Sequence, residues 1–399
     1  MTDQARVGSR VAAARKVRGM TQAALSARMH VSTSLVSQVE RGVVPASAAF
    51  VAAASRVLGV TVSELWDQPP ATFGTERQHV ADLETAVIEG SDAVAINGPI
   101  PGVEALAVMV DRVAMLQRRS RYQESSALLP ELLRGLHRAA YAAAPGLASE
   151  RAHELLSSAY SCALYCLHRL GSPVTGHAAE RCSAAAGSAG DPLLAAFAEA
   201  NRAVPLLYRG SFTVAERVVS RARASAESEA DTAAALAVRG AMHLQSAIVA
   251  ARCGDSGNSD AHLVEAADLA RHVPDLGADS DYYDTGFSAT NVEFHAVAAA
   301  VELGDGTKAV ARGAELHIPE TVMRSRRGHH HIDMASAWLL HGDREKALSE
   351  LNTARKLTPQ QTRYHPQVRE IVGAIAATDR RQTDSLAGFA RWVGFPPRD

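Results

Sequence analysis

Apolar side chains over the first 66 residues come in short bursts at helical spacing, separated by polar turns. Leu25, Val31, Val36 and Val39 form one set, and Ala54, Leu58, Val60 and Leu65 another. Such bursts predict a small core built from short helices. Two strings carry the detail: Met20-Thr21-Gln22-Ala23-Ala24-Leu25, and Val31 through Gly42. Thr21 stands where its hydroxyl can cap one helix and Ser32 where it can cap the next, each facing N–H groups left free in a first turn. Ser32, Thr33, Ser34, Ser37 and Gln38 fall off the apolar stripe, so one edge of the second helix is polar. Its groups are short or flexible, a size suited to base-pair edges.

From residue 103 onward the pattern changes to long amphipathic segments with short polar turns and no convincing strand, so the chain is expected to be all-α. Between the two patterns, Asp67 to Gly74 reads as a linker by its prolines and glycine. A helix is expected from about Thr75 to Glu89, and Asn97 to Gly102 breaks the chain again. The resulting division is 1–68, a first domain; 69–102, a linker with one helix; and 103–399, a helical body.

Within the body, turn glycines recur at Gly171, Gly210, Gly254, Gly304 and Gly342, a period of 38 to 50 residues. Around the last of them stand Met334, Ala335, Trp338, Ala347, Leu351, Ala354 and Pro359. Weaker copies keep Ala203, Leu206, Ala215, Val219 and Ala222, or Val297, Ala300, Ala309 and Leu316. Small residues where paired helices touch, a glycine turn and a proline stop resemble the tetratricopeptide repeat, whose regular period is about 34. The array is then degenerate; the alternative is an irregular bundle. Asp255 to Ser259 and Pro274 to Asp281 read as extended loops, and final helices with Leu386, Phe389, Trp392 and Phe395 are expected to cap the stack.

Composition sharpens this picture in two places. Aromatics are only 5% while alanine is abundant, which favours helices over sheets. The net charge of −2 hides a split, +4 over residues 1–68 and −6 over the remainder, which suits phosphate attraction at one end. Neither an export signal nor a run of eighteen uncharged apolar residues stands out, so a cytoplasmic protein with no membrane contact is expected. Cys162 and Cys166 lie four apart on a helix and could meet a metal, but no second pair at ligand spacing follows; buried packing is the other reading.

The first domain resembles the phage-repressor (XRE/Cro) family of helix-turn-helix DNA-binding domains over residues 6–68, including Pro45, Ala54, Leu58-Gly59-Val60 and Leu65. The resemblance implies a phosphate contact for Gln22 and base-reading places for Thr33, Ser34 and Gln38, beside Ser32 and Ser37. It also implies a phosphate contact for Arg41 and a partly buried ion pair between Arg15 and Glu40. Head and body together resemble peptide-pheromone receptors of Gram-positive quorum sensing, and still more the regulators of high-GC Gram-positive bacteria. Thr290-Asn291-Val292, His331-Ile332-Asp333 and Arg363-Tyr364-His365-Pro366 carry that second likeness. A homodimer on an inverted-repeat operator is implied, with a peptide or small signalling molecule as effector.

In tetratricopeptide arrays the first helix of each pair lines a groove. Counting back from each turn glycine places Ser158, Phe197, Ala241, Asn291 and His329 at one groove position. Ser161, Ala200, Leu244, Phe294 and Ile332 follow three residues on. Phe197, Asn291, Phe294 and His329 are the candidate effector contacts; an asparagine can bond both donor and acceptor of a peptide backbone. His329-His330-His331 invites a metal, but consecutive helical side chains point about 100° apart and do not converge on one ion. No phosphate-cradling glycine loop, nucleophile elbow or H-E-x-x-H is present, so neither an enzyme nor a cofactor is expected. Two functions remain: an effector-responsive transcriptional regulator, or a repeat scaffold that brings a partner protein to DNA.

Overall fold

In a computed structural model the described residues are 7–66, 75–95, 100–274, 281–378 and 384–394. Among them the regular structure is entirely helical. The head comprises α1 (Val7–Val17), α2 (Gln22–Met29), α3 (Thr33–Glu40), α4 (Ala48–Leu58) and α5 (Val62–Trp66). The hydroxyl of Thr21 accepts the Ala24 N–H at 3.1 Å and that of Ser32 the Leu35 N–H at 3.1 Å, so both starts are fixed by caps. Val7, Val11, Leu25, Val36, Val39, Val51 and Leu58 fill the core. Gly8 lets α1 cross α3 closely: a Cβ there would lie 1.9 Å from the Val39 carbonyl oxygen.

The body begins with α6 (Thr75–Glu89), then α7 (Val103–Arg118), α8 (Tyr122–Ala142), α9 (Leu147–Arg169) and α10 (Thr175–Gly187). It continues through α11 (Pro192–Asn201), α12 (Ala203–Tyr208), α13 (Phe212–Glu227), α14 (Ala233–Arg252) and α15 (Ser256–Ala270). The remainder is α16 (Ala289–Glu302), α17 (Gly306–Gly313), α18 (Arg324–His341), α19 (Arg344–Leu357), α20 (Pro359–Tyr364), α21 (Pro366–Thr378) and α22 (Asp384–Trp392). The helix expected near residue 75 is more than part of a linker. Leu83, Ala86 and Val87 of α6 are buried in the cluster that holds α8 to α10, so this helix belongs to the body. Residues 67–74 and 96–99, on either side of it, lie outside the described residues, as do Phe395 and residues 275–280 of the second expected loop.

Paired helices α9/α10, α14/α15, α16/α17 and α18/α19 pack side by side, and α11/α12 pairs with α13. The turn glycines all sit in the left-handed region: Gly171 at φ 74°, Gly210 at 73°, Gly254 and Gly304 at 78°, Gly342 at 101°. In three of these turns an aspartate follows and caps the next helix: Asp255, Asp305 and Asp343 accept from Asn258, Lys308 and Lys346 at 2.9–3.0 Å. The first expected loop is overturned by this device. Ser256 to Ser259 form the first turn of α15, because the Asp255 carboxylate satisfies an N–H that a loop would leave to water.

Cys162, Cys166 and Cys182 are buried between α9 and neighbouring helices, and burial pushes the Cys166 thiol up to about 12 and Cys182 to about 11. They act as small packing groups. Helix α14 has the length and hydropathy to cross a membrane; here its apolar surface packs against α13, α15 and α16.

Head and body are docked. Arg56 of α4 donates to the Gly210 carbonyl and lies 5.4 Å over the Phe212 ring. Ala52 is buried in the body cluster around α11 to α16, and Tyr208 packs against the head core. Val7 N–H donates to Glu370 of α21 at 3.2 Å. A cleft of about 750 Å³ runs between the two, with Leu35 and Val39 on one side and Gly254 and Leu303 on the other.

Candidate nucleic-acid interface and ligand cavity

Helix α3 buries Val36 and Val39 and leaves Ser32, Thr33, Ser34 and the following Arg41 exposed, with Ser37 and Gln38 half-buried. Gln38 Nε2 reaches Ser34 Oγ only at 3.4 Å, and Arg41 Nε donates to the Ser37 carbonyl at 3.2 Å. Thr33 shares a 2.9 Å hydrogen bond with Ser26, which ties the start of α3 to α2. Arg15 and Glu40 form a bidentate pair at 2.6 and 2.8 Å, and Arg15 also donates to the Met20 carbonyl. Burial pushes the Glu40 carboxyl up, but hydrogen bonds from Arg15 and Gln22 outweigh it and hold the group below its ordinary value. Gln22 is half-exposed and donates to Glu40 at 2.7 Å. The same pair thus braces α1 against α3 and positions the residue at the start of α2.

The groove positions scatter. Asn291, Phe294 and His329 line one cavity of about 260 Å³, whereas Phe197 lines a separate one with Ser158, Ser161 and Asn201. Ala200, Ala241, Leu244 and Ile332 are packed in the cores instead. Repeats of unequal length rotate each helix differently, so one offset from the turn glycine does not select one face.

The Asn291 cavity is assembled from α9, α12, α14, α16 and α18, the chain after α20, and the head. Trp66 of α5 and Ala48 of α4 form part of its wall. His330 stacks on Phe294 at 4.3 Å with planes 19° apart, while His331 turns away to Glu350 at 2.7 Å. His329 lies 5.1 Å from the His365 ring and 3.9 Å from Asp333, beyond hydrogen-bond reach. The three consecutive rings therefore diverge. Burial drives His329 and His365 well below the usual imidazole range, His295 to about 4 and His330 to about 3. Burial, with Glu302 nearby, raises the Asp333 carboxyl to about 8. At neutral pH these groups are uncharged, and the charge on the wall belongs to Arg169, Arg252, Arg326 and Glu302. Arg252 pairs with Glu302 at 2.9 Å.

Counting from the turns did not single out Arg169, Arg326, Asp333, His365 or Trp66. A signal for two of them was present: Asp333 and His365 sit in the short strings that, with the one holding Asn291, carried the likeness to the high-GC regulators. The structure brings all three strings to one cavity.

Residues 11–65 match the helix-turn-helix family. No curated protein matches the chain. Among solved structures, the chain is similar to Bacillus thuringiensis PlcR, crystallised with the peptide PapR7 and DNA. The likeness is 13% in identity, covers 67% of this chain and 95% of that one, and has a TM-score of 0.28. The N-terminal head of this chain is a helix-turn-helix domain of the phage-repressor type, joined to an all-helical body of stacked pairs.

Proposed function

We propose that the chain is a sequence-specific DNA-binding transcriptional regulator whose body holds an effector and passes its presence to the head. The observation that carries this reading is the polar edge of α3, exposed on a braced helix-turn-helix scaffold and followed by the exposed Arg41. Thr33, Ser34, Ser37 and Gln38 are the base-reading candidates, and Gln22, Ser32 and Arg41 sit where phosphates would be met. The effector reading is supported by the cavity that Asn291, Phe294 and His329 share, because Trp66 and Ala48 of the head also line it. A ligand there touches both units, so its occupancy can change how the head is held.

A single short recognition helix reads few base pairs, so the active species is a homodimer on an inverted repeat. Selection of binding sites from random DNA by the full chain tests this. Two half-sites about 10 bp apart, or a multiple of that spacing, are expected. An asymmetric single site protected by one protomer would reject the dimer, and no enrichment at all would reject the regulator.

A further inference from the structure

We infer that the cavity between body and head takes a compact organic anion, a carboxylate or phosphate carried on an apolar body. This rests on the reading of that cavity as the effector site and names the effector's chemistry. Three guanidinium groups line the wall, and Glu302 occupies one of them, Arg252. Arg326 donates to the Thr285 carbonyl at 3.2 Å, and Arg169 has no hydrogen-bond or ion-pair partner among the described residues. Neither cation has a carboxylate at ion-pair distance among the described residues, though Asp281 acts on Arg326 and Asp333 on Arg169 from farther off, and an anion against the two offsets the cost of their desolvation. Burial favours the neutral form of Asp333, which weakens it as a partner for Arg169.

A second observation is independent of charge. Asn291 and His330 are each only 2% exposed, yet Asn291 Oδ1 and His330 Nδ1 have no hydrogen-bond partner; Nδ1 of His329 and of His365 are likewise buried and unpaired, as is Oε2 of Glu302, whose other oxygen takes Arg252. Buried polar atoms left unsatisfied point to a missing partner. The residues that carry these atoms line the cavity, and a small rotation of a neutral imidazole presents an N–H to anion oxygens. Apolar side chains line the same space, Phe294, Ile248 and Val301 among them. At about 260 Å³ the space lies just under the range of roughly 300–1,000 Å³ typical of drug-sized ligands. It suits one ring and its substituents while the head stays in place; an extended peptide requires the head to leave.

The test titrates full-length protein with a panel of single-ring carboxylates and phosphates, 3-phenylpropionate, 4-hydroxyphenylacetate and phenyl phosphate among them, each beside its neutral amide or alcohol. Calorimetry and thermal unfolding give the affinities. Anions are expected to bind and raise the Tm, with the neutral partners at least about tenfold weaker, as befits loss of a charge-assisted hydrogen bond. Arg169→Gln removes no internal bond, so the ligand-free variant should unfold at or above the parent's temperature while anion binding falls about tenfold or more. Arg326→Gln should weaken binding similarly. Neutral molecules binding as well as anions, unchanged binding in Arg169→Gln, or a panel without one binder would each overturn the inference. Mobility shifts on the selected DNA separate it from its parent reading. Anions that bind without altering DNA affinity leave the anion site standing and remove the effector role. A peptide that alters DNA affinity while anions fail to bind does the reverse.

Discussion

Among the described residues the Gln38 side chain has a single hydrogen bond, the long contact to Ser34, so its amide can be re-aimed at the Hoogsteen edge of an adenine without breaking anything of value. Gln38→Ala should therefore cost about 1–3 kcal/mol of discrimination at one base position and little on random DNA. Arg41→Ala should weaken all sequences alike and reduce the salt slope by about one. Competition mobility shifts at several salt concentrations check both, and equal losses on specific and random DNA for Gln38→Ala would remove the base-reading role. Asp333 makes a different prediction. Its folded pKa, about 8, lies above the ordinary carboxylate value because of burial and then Glu302. The folded state thus binds the proton more tightly than the unfolded chain. That difference lowers stability progressively as pH rises from about 4 to about 8, and the penalty is complete above that range. Asp333→Asn removes it, so the variant should gain several degrees in Tm at pH 8 and nothing near pH 4, as thermal unfolding across pH would record. A gain independent of pH would mean that packing, not ionisation, sets the cost.

At the scale of single elements, local chemistry explains both what could be read from the chain and what could not. Turn glycines were legible because a left-handed residue is needed wherever one helix folds back on the next, and all of those read from the chain have positive φ. Asp255 to Ser259 was misread because glycine, serine and asparagine signal a loop by composition, while the deciding fact is one carboxylate–amide bond to Asn258. The count for groove residues led to two separate cavities. Counting back from Gly304 and Gly342 reached Asn291, Phe294 and His329, but the same count from Gly210 reached Phe197 in another cavity. Arg169 and Arg326 were silent, since a long basic side chain on a helix reads as a solvated face until tertiary packing turns it inward. Gly8 offers the test of helix packing: with 1.9 Å available, Gly8→Ala must push α1 from α3. A loss at or beyond the 1–3 kcal/mol usual for overpacking is expected, read as a lower unfolding midpoint together with weaker DNA binding.

For the whole molecule, the decisive contact is the seat of the head on the Gly210 turn. Arg56→Ala removes the bond to the Gly210 carbonyl and the guanidinium over Phe212. Hydrogen exchange should then quicken at the α12–α13 turn and in α4, while α16 to α19 keep the parent's protection; unchanged exchange at the turn would show that Ala52 and Tyr208 suffice to hold the head. The same seat has a consequence for the traffic of information. Because Trp66 belongs to the helix-turn-helix head and also lines the cavity, the cavity is not a private property of the body. If occupancy alters operator affinity by some factor, thermodynamic linkage requires the operator to alter the cavity's affinity by that factor, about tenfold for 1.4 kcal/mol. A promoter would then act as a cofactor for sensing: protomers on DNA and protomers free in solution would respond to different concentrations of one compound, and the number of target sites in the genome would help to set the dose at which the population switches.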